Sequence, residues 1–139
     1  MTPRELFDRN IAAFNAHDPA AFGRQYDDAA LLYDPQYPEP LTGRANIEKD
    51  IAAFFTAFPD LHAVVTNVMV DGATVAGEML VTGTHQGPLT TPNGDIPATG
   101  NQATTRFASF ATAGPDGTWV EERRYYDLAG MMAQLGLTG

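Results

Sequence analysis

The sequence contains no cysteine and only one lysine. Without cysteine, the chain has no disulfide framework, no thiolate nucleophile and no cysteine ligand for a metal ion. Eight lysine and arginine residues stand against seventeen acidic ones, and the formal net charge is −9 at pH 7. Binding to a nucleic-acid backbone needs clustered basic side chains, and anionic membranes repel a protein of this charge. We therefore predict no nucleic-acid partner and no membrane partner.

Long hydrophobic runs and several common catalytic motifs are also missing. The most apolar window, AAFFTAF at 52–58, is too short to cross a bilayer, and no apolar segment of the signal-peptide type follows the first residues. The sequence has no GxSxG elbow, no glycine-rich phosphate loop and no HExxH pair, and its three histidines lie in different predicted elements. We therefore predict no metal site. A single cytoplasmic domain over residues 1–139 is expected.

Three helices are predicted in the first part of the chain. Thr2 and Pro3 are suited to begin the first helix, and the pair Asp18-Pro19 is suited to begin a second, shorter one. The third is the most periodic, with apolar residues at helical spacing and a proline after the last of them: Ile47, Ile51, Phe54, Phe55 and Phe58. A buried strand is predicted between the second and third helices, at 29–33.

The second half of the chain predicts an antiparallel sheet. Strands are expected at 61–71, 74–85, 103–112 and 118–126, joined by turns and by a loop at 87–100, with a last helix at 128–135. Helices gathered on one face of an antiparallel sheet make an α+β domain. A curved sheet wrapped around the helices would enclose a cone-shaped pocket.

The carboxylate Asp127 stands where the last predicted strand meets the last predicted helix. Aspartate is a favoured N-cap residue, and the hydrogen bonds of a cap lower the pKa of a carboxyl group. A carboxylate at such a junction can instead face a pocket, where burial raises its pKa and lets it remove a proton from carbon. The residues by themselves leave both interpretations open.

Alternation along the last predicted strand sorts its side chains into two faces, both of them charged. Glu121, Arg123 and Tyr125 share one face with Asp127, and the other carries Val120, Glu122, Arg124 and Tyr126. The pattern does not show which face lines a pocket. Cross-strand ion pairs and a polar-tipped pocket both explain the charges.

Several segments resemble the SnoaL-like polyketide cyclases. They are FPDLHAVVTNVMVDGATVAGEMLVTGTHQGP at 58–88, PATG at 97–100 and YYDLAGMMAQLG at 125–136, together with FNAHDPAAF at 14–22 and YDP at 33–35. The resemblance covers nearly the whole chain in the right order. It implies a fold similar to nuclear transport factor 2 and ketosteroid isomerase, and assembly as a homodimer or tetramer.

The resemblance also implies an activity, the intramolecular aldol cyclisation of a hydrophobic polyketide-like carbonyl substrate without metal or organic cofactor. Asp127 matches the family's acid/base, and His85 is expected to assist it. The residues expected to contact the substrate are Tyr33, Phe54, Phe58, Arg123 and Tyr125.

Two other functions fit the same predicted fold. One is a non-catalytic module that binds an aromatic small molecule. The other is an isomerisation or an epoxide opening, in which a second carboxylate such as Asp34 or Glu121 meets Asp127 in the pocket. The pair Arg123-Arg124 departs from the aromatic residue and acid that many relatives carry. A guanidinium there would weaken a neighbouring carboxylate as a base, or bind a substrate carboxylate or phenolate.

Overall fold

A computed structural model describes residues 1–137. Its helices are α1 (Pro3–Asn15), α2 (Pro19–Gly23), α3 (Arg44–Ala57) and α4 (Leu128–Gln134). Its strands are β1 (Tyr26–Tyr33), β2 (Leu41–Thr42), β3 (His62–Asp71), β4 (Thr74–Thr84), β5 (Leu89–Thr91), β6 (Gly94–Ile96), β7 (Gln102–Ala113) and β8 (Trp119–Tyr125).

The expected α+β architecture is confirmed: a curved, unclosed sheet packs against the helices. Six strands lie in the order β2-β1-β8-β7-β4-β3, and β5 with β6 form a separate hairpin. The pairing of β1 with β8 is parallel, whereas every other pairing in the described residues is antiparallel. The parallel pairing joins the early strand β1 to β8, the last strand of the chain, so residues far apart in the sequence become neighbours.

The ends of the helices follow the sequence signals. Thr2 caps α1 by accepting a hydrogen bond from the backbone N–H of Glu5, and Asp18 caps α2 in the same way through Ala21. The early strand begins three residues before the predicted 29–33, and the predicted loop at 87–100 contains the short hairpin. Both differences have the same cause. The segments lack a strong apolar pattern, but they form strands because their backbones pair with another strand, β8 for the early strand and the adjacent segment for the hairpin.

The concave face of the sheet meets the helices closely. A Cβ atom added at Gly77 of β4 would lie 2.6 Å from the ring of Phe7 in α1, so this glycine lets the helix approach the strand. Between the sheet and the helices lies the apolar core, which includes Ile47, Ile51 and Trp119. No helix within residues 1–137 is long and apolar enough to span a membrane.

Candidate functional site

An apolar cavity opens between the concave face of the sheet and helices α1 and α3. Its volume is about 100 Å³. The strands supply every second residue to its wall, for example Val75, Gly77, Met79 and Val81 of β4. Seven aromatic side chains complete the wall, namely Phe7, Phe14, Phe22, Phe54, Phe58, Phe107 and Trp119. This surface suits the apolar body of a small organic ligand.

One end of the cavity is charged. Within residues 1–137, Asp34, Glu122 and Arg124 are the only charged residues of its wall. The Nε of Arg124 lies 2.8 Å from Glu122 Oε2, and its Nη1 lies 3.3 Å from Asp34 Oδ2. Behind the wall, Oδ2 of Asp50 in α3 lies 3.6 Å from the same Nη1. One guanidinium therefore joins three buried carboxylates, an arrangement that we call the Arg124 cluster.

Tyrosines complete the Arg124 cluster. Tyr126 donates a hydrogen bond of 2.6 Å to Asp34 Oδ1, Tyr26 donates to Glu122 Oε1, and Tyr37 donates to Asp50 Oδ1. A further donor to Glu122, Ser109, lies at 3.2 Å. Each carboxylate thus has a hydroxyl partner as well as the shared cation, which offsets part of the cost of burying charge.

Burial and charge act on the pKa values of the cluster in opposite directions. Burial raises the pKa of Asp50, although Arg124 and the Tyr37 hydroxyl oppose that shift. Burial alone would lower the pKa of Arg124, but the neighbouring carboxylates, led by Glu122, raise it well above its ordinary value. Burial, and then the charge of Asp34, raise the pKa of Tyr126. Both raised pKa values keep Arg124 protonated and Tyr126 a hydrogen-bond donor at neutral pH.

Arg124 is the most exposed of the three charged residues in the cavity wall. Its side chain is 11% exposed, against 7% for Glu122 and 1% for Asp34. Its Nε and Nη1 are taken by carboxylates, whereas Nη2 makes no hydrogen bond within residues 1–137. The guanidinium fills the space among the carboxylates, and no group of three or more His, Asp or Glu residues in that range is placed to hold a metal ion.

Asp127 lies outside this cavity. Its side chain is exposed, and its Oδ1 accepts a 2.8 Å hydrogen bond from the backbone N–H of Gly130, which caps α4. Gly130 leaves room for this carboxylate, since a Cβ there would lie 2.3 Å from Asp127 Oδ2. The geometry therefore shows Asp127 as the N-cap of α4. The assignment of Asp127 as the acid/base stays a prediction.

His85 also lies apart from the charged end. It is fully buried just after β4, and its Nδ1 lies 3.1 Å from Thr99 Oγ1 and accepts a hydrogen bond from the Thr99 N–H. Its ring packs against Phe58 with the ring centroids 5.5 Å apart. Burial lowers its pKa, which favours the neutral imidazole. These contacts are those of a histidine that fixes the loop after β4.

The predicted substrate contacts divide between the two faces of the sheet. Phe54 and Phe58 lie in the cavity wall. Tyr33, Arg123 and Tyr125 lie instead on the outer, convex face, because Tyr33 pairs with Arg123 across β1 and β8, and Tyr125 follows at the next position on that face. These three residues therefore lie outside the cavity wall, and their role as substrate contacts stays a prediction.

The Arg124 cluster contains residues that the sequence prediction did not assign to the site. Burial of Asp50 could have been predicted from the sequence, because this residue lies between Ile47 and Ile51 on the apolar face of the third helix. Glu122 and Arg124 were equivalent to Glu121 and Arg123 by pattern alone, because both faces of that strand are charged. Only the packing of the helices shows which face is inside.

These features define an α+β protein with a small-molecule cavity between a curved sheet and its helices. The same fold occurs in solved structures that cover 99% of the chain. One is described as a candidate SnoaL-like polyketide cyclase from Jannaschia sp., with 22% identity, 93% coverage of that protein and a TM-score of 0.84. Another has a ketosteroid isomerase-like fold and comes from Catenulispora acidiphila, with 22% identity, 95% coverage and a TM-score of 0.79. A third is AclR, a candidate hydroxylase from Streptomyces galilaeus, with 23% identity, 86% coverage and a TM-score of 0.81.

The profile of the SnoaL-like polyketide cyclases matches residues 4–135. The chain therefore belongs to the SnoaL-like polyketide cyclase family, as the sequence resemblance predicted. No curated protein matches it significantly. Membership of this family supports a cyclase-type role.

Proposed function

We propose that the protein is an enzyme that cyclises an apolar, polyketide-like carbonyl compound by intramolecular aldol condensation, using its own side chains for proton transfer. The observation that carries the proposal is the composition of the cavity. Its wall is mostly apolar and aromatic, and its charged residues, Asp34, Glu122 and Arg124, meet at one end. An apolar pocket with a few convergent, charged groups is the usual form of a site that orients a ligand and reacts with one part of it.

Arg124 is suited to bind the carbonyl oxygen of the substrate. The Nη2 group is the part of the guanidinium that no carboxylate within residues 1–137 occupies. A carbonyl oxygen that accepts a hydrogen bond from it would gain negative charge when the neighbouring carbon loses a proton. A fixed cation beside that oxygen stabilises the enolate more than the neutral ketone, and so lowers the barrier.

Asp34 is suited to move the proton. Its Oδ2 has a single polar partner within residues 1–137, Arg124 at 3.3 Å, whereas both oxygens of Glu122 have closer or additional donors. In the proposed reaction Oδ2 takes the proton from carbon, and the enolate carbon then forms a C–C bond with a second carbonyl of the same molecule. The resulting alkoxide takes the proton back from Asp34, so the enzyme returns to its starting state.

The test compares two carboxylates in one assay. Wild type, Asp34→Asn and Asp127→Asn are incubated with an uncyclised anthraquinone ester, and ring closure is followed by liquid chromatography and mass spectrometry. We expect Asp34→Asn to lose roughly 10²–10⁴-fold in turnover, the usual contribution of a general acid–base. Asp127→Asn should retain its turnover, because asparagine still caps a helix.

Other outcomes assign the function differently. Loss of turnover in Asp127→Asn, with full turnover in Asp34→Asn, would return the acid/base role to Asp127 and refute the assignment of Asp34. If wild type binds the ester saturably and leaves it unchanged, the protein is a binding module with the same cavity.

The proposed assembly as a homodimer or tetramer has a candidate surface. The convex face of the sheet exposes large apolar side chains, among them Tyr33, Phe110 and Tyr125. Phe110 and Tyr125 pack edge to face with centroids 5.9 Å apart, so they form a patch rather than isolated contacts. Light scattering coupled to gel filtration should show a dimer or larger species, and Phe110→Glu should shift it toward the monomer.

A further inference from the structure

The charged end of the cavity carries more negative than positive charge. Two carboxylates and one guanidinium line it, which gives a formal charge of −1. Asp50, whose Oδ2 lies 3.6 Å from Arg124 Nη1, adds a further negative charge whenever it is ionised. The local charge is therefore −1 or −2, and no protonation state of Asp50 makes it neutral.

Arg124 does not reverse this balance, because carboxylates of the protein already use its charge. Its Nε and Nη1 face Glu122, Asp34 and Asp50 at 2.8, 3.3 and 3.6 Å. The unused Nη2 can donate to a neutral carbonyl oxygen. An ionised ligand carboxylate at the same place would meet two or three carboxylates of the protein in a largely buried environment, where repulsion is strong.

Two further observations favour a cation at this end. Phe107 of the cavity wall stacks on Tyr126 with centroids 4.2 Å apart, and Tyr126 donates to Asp34, so an aromatic ring lies beside this carboxylate, and aromatic rings attract cations. Asp34, which lies in the cavity wall and has a side chain 1% exposed, can also accept from a further donor, since its Oδ2 has a single polar partner within residues 1–137, Arg124 at 3.3 Å. This buried carboxylate oxygen in the cavity wall is where an N–H group of a ligand ammonium can donate a hydrogen bond.

We propose that the natural ligand is a hydrophobic cation: an apolar ring system that carries a protonated amine, with the amine directed to Asp34 and Glu122. This inference names the substrate class of the cavity described above, and it rests on the proposed function only in taking that cavity as the ligand site. A carbonyl group in the same ligand would still reach Nη2 of Arg124.

Three matched probes test the charge preference on the wild-type protein. They share one ring system and differ in the group attached to it: 2-naphthylmethylamine as the cation, 2-naphthylmethanol as the neutral probe and 2-naphthoate as the anion. Isothermal titration calorimetry at pH 7 measures each Kd. We expect the cation to bind about tenfold more tightly than the alcohol, and the anion to bind most weakly, because one favourable charge pair in a partly buried site is worth that factor.

Substitutions at two neighbouring positions show whether the cation binds in the cavity. Glu122→Gln removes one negative charge from the cavity wall and should remove most of the preference for the cation. Glu121→Gln removes the same charge from the convex face, where Glu121 pairs with Arg123 at 2.9 Å, and should leave the preference unchanged. If Glu122→Gln does not fold, Asp34→Asn takes its place, and the comparison of the three probes on wild type is still decisive.

Each outcome bears on the proposal. Equal or tighter binding of the alcohol or the naphthoate by wild type would overturn it, and so would the absence of binding by all three probes. An equal loss in Glu121→Gln and Glu122→Gln would show that the cation binds the acidic surface instead of the cavity. Because binding is measured without turnover, failure of the cyclase assay would leave this result standing, and failure here would leave the cyclase assay standing.

Discussion

Asp34 and Arg124 are 90 positions apart in the sequence, yet Asp34 Oδ2 and Arg124 Nη1 lie 3.3 Å apart. The contact follows from the parallel pairing of β1 with β8, in which Tyr33 is the partner of Arg123. The residue after each partner points to the opposite face of the sheet, so both side chains enter the cavity. The charged end of the site is thus a direct product of strand register.

Replacement of Arg124 tests how much the folded state depends on this cation. Arg124→Met should lower the free energy of unfolding by about 3–5 kcal/mol, because it leaves buried carboxylates without their shared partner. Arg123→Met is the matched control, since Arg123 pairs with Glu121 on the exposed face and should cost about 0–1 kcal/mol. Urea denaturation at pH 7 measures both. Equal effects of the two substitutions would show that the buried pairing adds nothing to stability.

Asp127 offers a test of a local, structural role. Asp127→Ala should destabilise the protein by about 1 kcal/mol, because the backbone N–H of Gly130 loses the carboxylate that caps α4. Asp127→Asn should cost much less, since the amide oxygen can accept the same hydrogen bond. Thermal unfolding of the two variants checks the difference. An equal, large loss in both variants would mean that the negative charge of Asp127, and not its cap, is what matters.

Two aspartates should give opposite dependences of stability on pH. Burial raises the pKa of Asp50 in the folded state, so the folded protein holds this proton after the unfolded chain has lost it. Stability then falls as pH rises from the ordinary value of 3.8 toward the raised pKa, and Asp50→Asn should remove that fall.

The pKa of Asp60 is shifted in the opposite direction to that of Asp50. The N–H and hydroxyl of Thr84 donate to its carboxylate, at 2.7 Å each, and lower its pKa. Its stabilising effect is therefore present above 3.8 and is lost as pH falls through the lowered pKa. Urea denaturation of both asparagine variants between pH 3 and 8 should show slopes of opposite sign relative to wild type. Parallel slopes would contradict the assigned pKa directions.

Two glycines test how closely the chain packs around the cavity. A Cβ at Gly87 would lie 2.1 Å from the backbone oxygen of Thr56 at the end of α3, and backbone cannot move away easily. Gly87→Ala should therefore destabilise by about 1–3 kcal/mol, the usual cost of overpacking. Gly77→Ala would meet the tip of the Phe7 ring, which can turn into the cavity, so it should weaken ligand binding more than stability. Denaturation and calorimetry separate the two effects, and the reverse pattern would refute the assignment.

The sequence predicted the elements of this fold better than their arrangement. The helix that holds Ile47 and Ile51, and the caps at Thr2 and Asp18, follow from periodicity and local hydrogen bonding, which act over a few residues. The parallel pairing of β1 with β8 connects distant segments, and no local pattern specifies it. Fold class was therefore predictable, whereas the neighbours of the early strand were not.

The candidate site was predictable only in part, for a related reason. Phe54 and Phe58 sit in the cavity wall because a helical apolar stripe must face the core. Along β8, both faces carry a glutamate and an arginine, so alternation could not distinguish Arg123 from Arg124. The two arginines differ in their distant partners, because Asp34 and Asp50 pair with Arg124.

The position of β8 between β1 and β7 has a consequence for synthesis of the chain. A growing polypeptide can form α1, α2, α3 and the β3–β4 hairpin while it is still on the ribosome, but β1, which pairs with β2 on one side, gains its second neighbour β8 only when the last strand emerges. Until then Asp34 lacks Arg124, and the concave face is open to solvent at one edge. A chain that stops before residue 119 would therefore expose an unpaired strand edge, which is a template for aggregation, and would leave Asp34 and Asp50 without their shared cation.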